Sequence, residues 1–270
     1  MWKAELGAAL SPVVAVEPVA GGDISDAYRV RLADRRVVFV KHAETPMFAA
    51  EARGLAWLRT GALRVPEVLA VGERWLALEW LELGEPGAAF GDAFGRGLAQ
   101  LHRSGAPSFG LDHDNFLATL PQDNRPTPTW REFYVERRLR PLVERGLALG
   151  RIPDVRPLLD RIDDDRLGPP EPPARLHGDL WWGNVAAEHG TPIIFDPAVY
   201  GGHREIDLAM LALFGDLPTR MLDAYAEIWP LADGWQSRRP LYQLLPLAAH
   251  AVLFGGSYGD QVRRILTASS

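Results

Sequence analysis

The chain contains no cysteine in its 270 residues. This absence excludes disulfide bonds, zinc sites built on thiolates and a cysteine nucleophile. There is no excess of basic charge either, since 29 basic and 35 acidic residues give a net charge of −6. That balance argues against a protein whose main partner is nucleic acid or an anionic membrane. With 47% hydrophobic and 24% charged residues, the composition is that of a globular protein rather than a disordered one.

Lysine is almost absent. Lys3 and Lys41 are the only lysines, so 27 of the 29 basic residues are arginine. Lysine carries a compact point charge, whereas arginine carries a planar fork, and the two are not interchangeable where geometry matters. In a chain that uses arginine nearly everywhere, Lys41 is therefore a candidate functional residue.

Two apolar segments could indicate export or membrane insertion. Residues 1–20 are fairly apolar, but Glu5 and two prolines interrupt the run, which is not typical of a signal peptide. Residues 240–259 carry no charge, yet they contain two prolines, a histidine and glycines that favour a buried helix over a membrane span. We therefore expect a cytoplasmic protein without a membrane partner.

The first eighty residues favour a small sheet with one inserted helix. Strands are predicted from β-rich or alternating segments at 13–19, 27–32, 37–41, 68–71 and 75–80. Between the third and fourth strands, residues 46–59 place apolar side chains at helical spacing.

Beyond residue 84 the pattern becomes mainly helical. Helices are predicted at 90–105, 130–149, 204–214, 219–228 and much of 241–266, and a solvated loop at 163–173. The expected fold class is α+β, with a small antiparallel N-terminal lobe (1–83) and a larger, mainly helical C-terminal lobe (84–270). A ligand is expected between two such lobes.

The segment 176–185 carries the strongest chemical signal. Asp179 is followed five residues later by Asn184, and Asp196 comes twelve residues after Asn184. In phosphoryl transfer one aspartate handles the proton of the attacking hydroxyl, while an amide and a second carboxylate supply hard oxygen ligands for Mg²⁺. The protein-kinase catalytic loop has the same Asp-to-Asn spacing. His177 is interpreted as a brace for this loop.

A matching phosphate-binding half lies upstream. A glycine-rich turn between two predicted strands can approach phosphates with its backbone N–H groups, although an ordinary hairpin turn is the alternative; it comprises Gly21, Gly22, Asp23, Ile24 and Ser25. Lys41 then falls on the next strand but one, where kinases place the lysine that pairs with the α/β-phosphates.

Two other features complete this nucleotide site. Glu51, on the predicted helix, is the expected partner of Lys41, and Glu44 is the competing one. Glu79, Trp80 and Leu81 end the sheet, at the position where a hinge would offer backbone hydrogen bonds to an adenine.

Simpler interpretations of the same residues stay open. Asn184 could shape a turn and Asp196 could cap one, and Asp207 could be an ordinary first-turn aspartate or a support for the catalytic loop. A metal hydrolase is a further alternative, although its candidate ligands fit no zinc signature; they are His177, Asp179, His189, Asp196 and His203.

Taken together, the motifs resemble the fructosamine kinase (ketosamine-3-kinase) family over nearly the whole chain. The Leu-Trp pair after His-Gly-Asp, with the Gly-Asn that follows, separates this family from aminoglycoside phosphotransferases and choline kinases, which share the wider fold. The segments that carry the resemblance are Gly21-Gly22-x-Ile24-Ser25, Phe39-Val40-Lys41, Met47-Phe48-x-x-Glu51, residues 177–185 and residues 192–198.

The resemblance implies a protein-kinase-like fold and ATP-dependent phosphorylation of the sugar O3′ of a ketosamine. The sugar would be that of a fructosamine, ribulosamine or erythrulosamine, and the purpose would be deglycation of a protein or a free amino acid. It also implies that Asp179 is the catalytic base, that Asn184 and Asp196 hold Mg²⁺, and that Lys41 binds phosphate. Trp181 is interpreted as a contact to the substrate sugar, with core packing as the alternative, and Trp182 as a packing residue.

One departure from the family concerns the phosphate loop. Many relatives have cysteine where this chain has Asp23, so redox control through that cysteine cannot operate here. An aspartate near ATP phosphates is unfavourable unless it points away or faces a cation. The rival functions are a related aminoglycoside- or choline-type phosphotransferase, and a non-catalytic pseudokinase that serves as a binding module.

Overall fold

The computed structural model describes residues 1–20 and 25–268. The N-terminal region comprises α1 (Trp2–Ala9), β1 (Val13–Pro18), β2 (Asp26–Leu32), β3 (Val37–His42), α2 (Phe48–Leu58), β4 (Val68–Val71) and β5 (Trp75–Glu79). As the sequence predicts, one helix, α2, is inserted in the sheet between β3 and β4, and the short helix α1 precedes the first strand.

The remainder of the described chain is mainly helical. Its first half contains β6 (Leu83–Gly84), α3 (Phe90–Arg103), β7 (Asn115–Leu117), β8 (Leu120–Gln122), α4 (Trp130–Glu132), a π-helical segment (Phe133–Leu139), α5 (Arg140–Ala148), α6 (Arg156–Leu159) and α7 (Asp164–Leu167). Its second half contains β9 (Ala174–Leu176), a 3₁₀ turn (Trp182–Asn184), β10 (Val185–Glu188), β11 (Thr191–Ile194), β12 (Tyr200–Gly202), α8 (Glu205–Leu211), α9 (Thr219–Ile228), α10 (Trp235–Tyr242), α11 (Leu244–Phe254) and α12 (Tyr258–Ala268).

The N-terminal strands form one antiparallel sheet in the order β1-β2-β3-β5-β4. Successive side chains of a strand point to opposite faces of the sheet. In β5 the side chains on both faces are buried. Trp75 and Ala77 pack into a small core beneath α1, whereas Leu76 and Leu78 join a second core. The second core also contains Phe94 and Leu208 from the helical region, so it binds the two parts of the molecule together.

The C-terminal half of α2 lies against the segment that follows β11. An added Cβ on Gly54 would lie 3.1 Å from Pro197 Cγ, so glycine permits this close approach. At the end of the same helix, the guanidinium of Arg175 stacks on the Trp57 ring at 4.0 Å and donates to the Trp57 carbonyl. Helix α2 is therefore fixed to β9 and to the segment that follows β11.

The sheet is joined to the helical region by a short strand and an arginine. Strand β6 pairs with β10, which forms a hairpin with β11. The guanidinium of Arg64 donates to the Glu79 carboxylate at 3.0 and 3.1 Å and also to Glu188 on β10. These contacts fix the end of β5 next to the β10–β11 hairpin.

The prediction of a loop at 163–173 was wrong in part. Residues 164–167 form α7, and the Asp163 side chain caps it by accepting from the Arg166 N–H at 3.1 Å. In the rest of the segment, Glu171 accepts two hydrogen bonds of 2.8 Å from the buried guanidinium of Arg204. The run of acidic residues therefore begins a helix.

The uncharged stretch at 240–259 contains α11, most of whose residues are buried in the core of the helical region. Among the described residues, no helix combines the length and the hydropathy needed to cross a membrane.

Candidate active site

A buried cation lies between two carboxylates from distant parts of the chain. The Lys41 ammonium on β3 is 2.8 Å from Glu51 Oε1 on α2 and 3.0 Å from Asp196 Oδ1 after β11. Burial lowers the pKa of Lys41, but the charges of Asp196 and Glu51 outweigh burial and raise that pKa above its usual range. The lysine is therefore held charged and fixed in direction. Glu44, the competing partner, instead lies 2.6 Å from Arg74.

Asp196 adopts an unusual backbone conformation. Its φ of 57° lies in the left-handed region, which a residue with a Cβ seldom enters. The preceding Phe195 is held on both sides, since its N–H donates to the Asn184 carbonyl at 3.2 Å and its carbonyl contacts His177 Nε2 at 3.0 Å. The turn directs one carboxylate oxygen to Lys41 and leaves the side chain 43% exposed.

The loop after β9 brings Asp179 and Asn184 together. Asn184 is buried in the 3₁₀ turn, and its Nδ2 donates to the Asp179 carbonyl at 2.8 Å. The same nitrogen is 3.4 Å from Asp179 Oδ2 and 3.4 Å from the Asp196 carbonyl. Burial, together with the nearby charge of Asp196, raises the pKa of Asp179 to about 7, although the contact with Asn184 acts in the opposite direction. A carboxylate with such a pKa can exchange a proton near neutral pH.

The loop is supported from below by Asp207 on α8. Its two carboxylate oxygens accept from the backbone N–H groups of His177 at 2.8 Å and Gly178 at 2.9 Å. Gly178 has a φ of 82°, and a Cβ there would lie 2.1 Å from the Ala198 carbonyl oxygen. Glycine is therefore required at the turn into Asp179.

His177 is a structural residue in this arrangement. Its Nδ1 accepts from the Asp179 N–H at 3.3 Å, so the proton of the neutral ring is assigned to Nε2, which donates to the Phe195 carbonyl. Burial lowers the pKa of His177, so it stays neutral. Both ring nitrogens are engaged, which argues against the metal-hydrolase alternative. In the described part of the chain, no three His, Asp or Glu side chains are grouped as metal ligands.

The oxygen donors present do fit a magnesium ion that is shared with phosphates. Among the described residues, no N–H or O–H group donates a hydrogen bond to Asn184 Oδ1 or to Asp196 Oδ2. Mg²⁺ prefers such hard oxygen ligands and is usually bound by one or two side chains together with waters and substrate phosphates.

The expected nucleotide-binding residues fall in two places. Ser25 lies in the bend before β2, whereas Gly21, Gly22, Asp23 and Ile24 lie outside the described residues. Trp80 and Leu81 follow β5 and connect it to β6, as a hinge between the two regions would.

The side chains at this connection have structural partners. The Glu79 carboxylate binds Arg64 and accepts from the Glu67 N–H at 2.8 Å, and the Glu79 N–H donates to the Glu67 carbonyl at 3.0 Å, so the side chain and the backbone N–H of Glu79 are both engaged within the protein. The Trp80 ring lies near Phe39, with centroids 6.5 Å apart.

The two tryptophans of the loop differ in environment. Trp181 is 40% exposed and contacts Phe214 edge to face, with centroids 6.3 Å apart. Trp182 packs against the buried Phe94 at 5.7 Å. The side chain that follows the predicted base by two residues therefore faces solvent, and the next one belongs to the core.

Sequence reasoning missed two supports of the site. His102 on α3 lies between Asp207 Oδ2 at 3.2 Å and the Tyr225 hydroxyl at 2.7 Å, all of them buried. Arg175, which fixes α2 through Trp57, was also missed. Neither support has a local motif, because each joins residues that are more than 100 positions apart.

A lysine on a small antiparallel sheet, paired with a glutamate on the inserted helix and facing an Asp–Asn–Asp set in the helical region, defines a kinase-type phosphotransferase. Solved structures agree at the level of the fold. An aminoglycoside phosphotransferase in complex with AMP-PNP and hygromycin B superposes with a TM-score of 0.68 at 14% identity, covering 99% of this chain and 97% of the other.

Within that class the chain belongs to the fructosamine kinase family, whose profile matches residues 2–269. A protein of Enterococcus faecium named as a probable ketoamine kinase is 39% identical, with 93% of this chain and 94% of that one covered. A probable ketoamine kinase of Thermus thermophilus is also 39% identical, with 93% of each chain covered. A crystal structure from Thermobifida fusca, provisionally assigned as a fructosamine-3-kinase, has a TM-score of 0.90 at 42% identity and covers 99% of this chain and 97% of its own.

Proposed function

We propose that this protein transfers the γ-phosphoryl group of ATP to the O3′ hydroxyl of a ketosamine sugar. The observation that carries the proposal is the convergence of Lys41, Asp179 and Asp196 from three separate segments. Phosphoryl transfer depends mainly on positioning and charge stabilisation, which such a convergence supplies.

Asp179 is the proposed base. Its raised pKa suits a group that accepts the proton of a sugar hydroxyl near neutral pH, and Asp207 and His177 hold its loop in position. Lys41, directed by Glu51, is proposed to contact the nucleotide phosphates. The glycine-rich turn at 21–25 and the backbone of residues 79–81 are proposed to contact the phosphates and the adenine.

Asn184 and Asp196 are the proposed ligands of Mg²⁺. When bound, the ion neutralises charge on the nucleotide phosphates. Asp196 would then face both the ion and the Lys41 ammonium.

The acceptor class rests on the family to which the chain belongs and on Trp181. The exposed indole beside the proposed base offers an apolar face to the C–H groups of a sugar. Phosphorylation at O3′ would destabilise the adduct and release the amine, so deglycation of a protein or of a free amino acid is the proposed role.

The acceptor is tested directly with purified protein and Mg-ATP. ADP formation is measured with fructoselysine, ribuloselysine, erythruloselysine and kanamycin as acceptors. We expect turnover with at least one ketosamine and none with kanamycin. Lack of turnover with every ketosamine would contradict the proposal, and turnover with kanamycin alone would favour the aminoglycoside-type alternative.

A non-catalytic binding module is the alternative from another class. The same protein would then bind a nucleotide without turning over any acceptor. Isothermal titration with AMP-PNP, run beside the ADP assay, separates that outcome from a protein that is merely misfolded.

A further inference from the structure

An exposed aromatic surface continues from the proposed catalytic loop. It consists of five rings from four segments, which we call the aromatic surface: Trp181, Phe214, His250, Phe254 and Tyr258. Among the described residues, three tryptophan or phenylalanine side chains are exposed to a large extent, and all three belong to this surface. They are 40% (Trp181), 62% (Phe214) and 58% (Phe254) exposed.

Direct contacts between neighbouring rings make the surface continuous. Phe214 stands between Trp181 at 6.3 Å and His250 at 6.1 Å, in edge-on contact with each. His250 also contacts Phe254 at 5.6 Å and Tyr258 at 5.1 Å. Because its Nδ1 donates to the Pro246 carbonyl at 2.7 Å, the imidazole has a fixed orientation at the centre of the group.

The surface begins at the proposed base. The backbone N–H of Trp181 donates to the Asp179 carbonyl at 3.2 Å. The indole ring lies over Gly183, where a Cβ would be only 2.2 Å from the ring. Glycine at 183 therefore leaves room for the indole in this position. Since Phe214 touches the indole, the aromatic surface and the acceptor site are continuous.

The free energy gained by burying aromatic rings favours binding of a ligand to this surface. Exposed aromatic rings gathered in one place mark an interaction site, because leaving them in water forfeits the gain from burial. Aromatic faces also attract organic cations. A ketosamine has both complementary features, a protonated secondary amine two carbons from the O3′-bearing carbon and an organic group attached to that amine.

We propose that the aromatic surface binds the non-sugar part of the acceptor and makes the enzyme selective for ketosamines of apolar amines. This inference rests on the proposed function, since it places the sugar at Asp179. With the sugar there, the substituent on nitrogen leaves the catalytic loop past Trp181 and extends over Phe214 and Phe254.

Two acceptors that differ only at the far end of the amine test the inference. The ketosamines of phenethylamine and of ethanolamine share the sugar, the charged nitrogen and the two-carbon stem, and differ in a phenyl against a hydroxyl group. We expect kcat/KM to be about tenfold higher for the phenethylamine adduct, the gain from partial burial of one ring. In Phe214→Ala and Phe254→Ala, that ratio is expected to fall to about twofold or less.

A matched control uses an exposed apolar residue away from the surface. Leu149, at the end of α5, is 51% exposed, so Leu149→Ala removes comparable apolar area while the ratio stays at the wild-type value. Phe214 and Phe254 contribute little to the core, and thermal melting of both variants verifies that they fold.

The outcomes separate this inference from the proposed function. If neither adduct is phosphorylated, the proposed function itself fails. If both adducts are phosphorylated with equal kcat/KM, or if the ratio survives both phenylalanine substitutions, the inference is overturned while the function stands. A change of oligomeric state by light scattering, with an unchanged ratio, would instead assign the surface to a second copy of the chain and would also overturn it.

Discussion

At the scale of single residues, the chemistry of the site depends on side chains whose surroundings fix their charge. Lys41 stays an ammonium because two carboxylates are within 3.0 Å of it. Asp179 is near its midpoint at neutral pH because it is largely desolvated beside Asp196. On the surface, a lysine would be charged but free to move, and an aspartate would be ionised at neutral pH.

Lys41→Arg is expected to lower kcat/KM at least about tenfold, although the charge is retained. The guanidinium is a wide planar fork that cannot occupy the space between Glu51 and Asp196 as a compact ammonium does. Steady-state ADP assays measure the loss. Lys3→Arg, at the only other lysine, is the control and is expected to retain wild-type activity. If Lys41→Arg kept wild-type activity, Lys41 would not be a phosphate-binding lysine that arginine cannot replace.

Asp179→Asn is expected to reduce turnover about 100-fold or more while the affinity for AMP-PNP changes little. The amide preserves the shape of the side chain but cannot accept the proton of the hydroxyl. Single-turnover assays and calorimetric titration measure the two quantities. Retained turnover would refute the assignment of Asp179 as the base.

At the scale of elements, the beginning of α8 holds the loop that carries Asp179, and α2 holds Lys41. Asp207 lies in the first turn of α8, where a carboxylate is favoured by the helix dipole. It also accepts from two backbone N–H groups of the loop, so one side chain orients both segments. Arg175 and Gly54 do the same for α2 by fixing it to β9 and to the segment after Asp196.

Asp207→Asn is expected to destabilise the protein by about 1.5–3 kcal/mol, because one of two buried amide donors loses a charged acceptor. It should also lower kcat more than it raises the KM for ATP, since the catalytic loop moves and the nucleotide contacts do not. Urea unfolding and ATP-dependent kinetics measure both effects. Asp223→Asn, on the exposed face of α9, is the matched control; equal stability of the two variants would contradict the supporting role.

At the scale of the whole molecule, a core shared by the sheet and the helical region fixes the geometry of the site. Leu55 and Leu76 pack in the same cluster as Leu98 and Leu208, so the two parts cannot separate without exposing apolar surface. The larger core of the helical region contains a stack of aromatic rings in which His203 lies 5.4 Å from Tyr242.

Burial lowers the pKa of His203 from its ordinary value, and this makes stability depend on pH. Below about pH 6.5, His203 becomes protonated in the unfolded chain but stays neutral in the folded chain. Stability therefore decreases as pH falls, until the pKa of His203 in the folded protein is reached. Asp179, with a raised pKa, acts with the opposite sign, so the wild-type curve alone is not diagnostic.

The comparison with His203→Gln isolates this contribution, because glutamine does not titrate. Between pH 6.5 and 5, wild-type stability should decline relative to the variant by up to about 1.4 kcal/mol per pH unit. Chemical unfolding at several pH values measures the difference. Parallel curves for the two proteins would show that His203 is not held neutral.

The sequence alone determined the class of fold, most element positions and the candidate residues of the site, because these depend on local features. Period-two and helical patterns report the elements directly, and strand β4 and helix α9 begin and end where the sequence predicts. The spacing from Asp179 to Asn184 is fixed by one loop, so it is visible without the fold. The helix at 164–167 was missed because a short helix has too few turns to show a period.

Only the tertiary structure decided which of these residues meet. The choice of Glu51 over Glu44 as the partner of Lys41, the contact of Lys41 with a carboxylate 155 positions away and the support of Asp207 by His102 all depend on how distant segments pack. The left-handed backbone of Asp196 and the continuous aromatic surface are likewise set by the path of the chain. Sequence spacing describes neighbours along the backbone, whereas burial and pKa depend on neighbours in space.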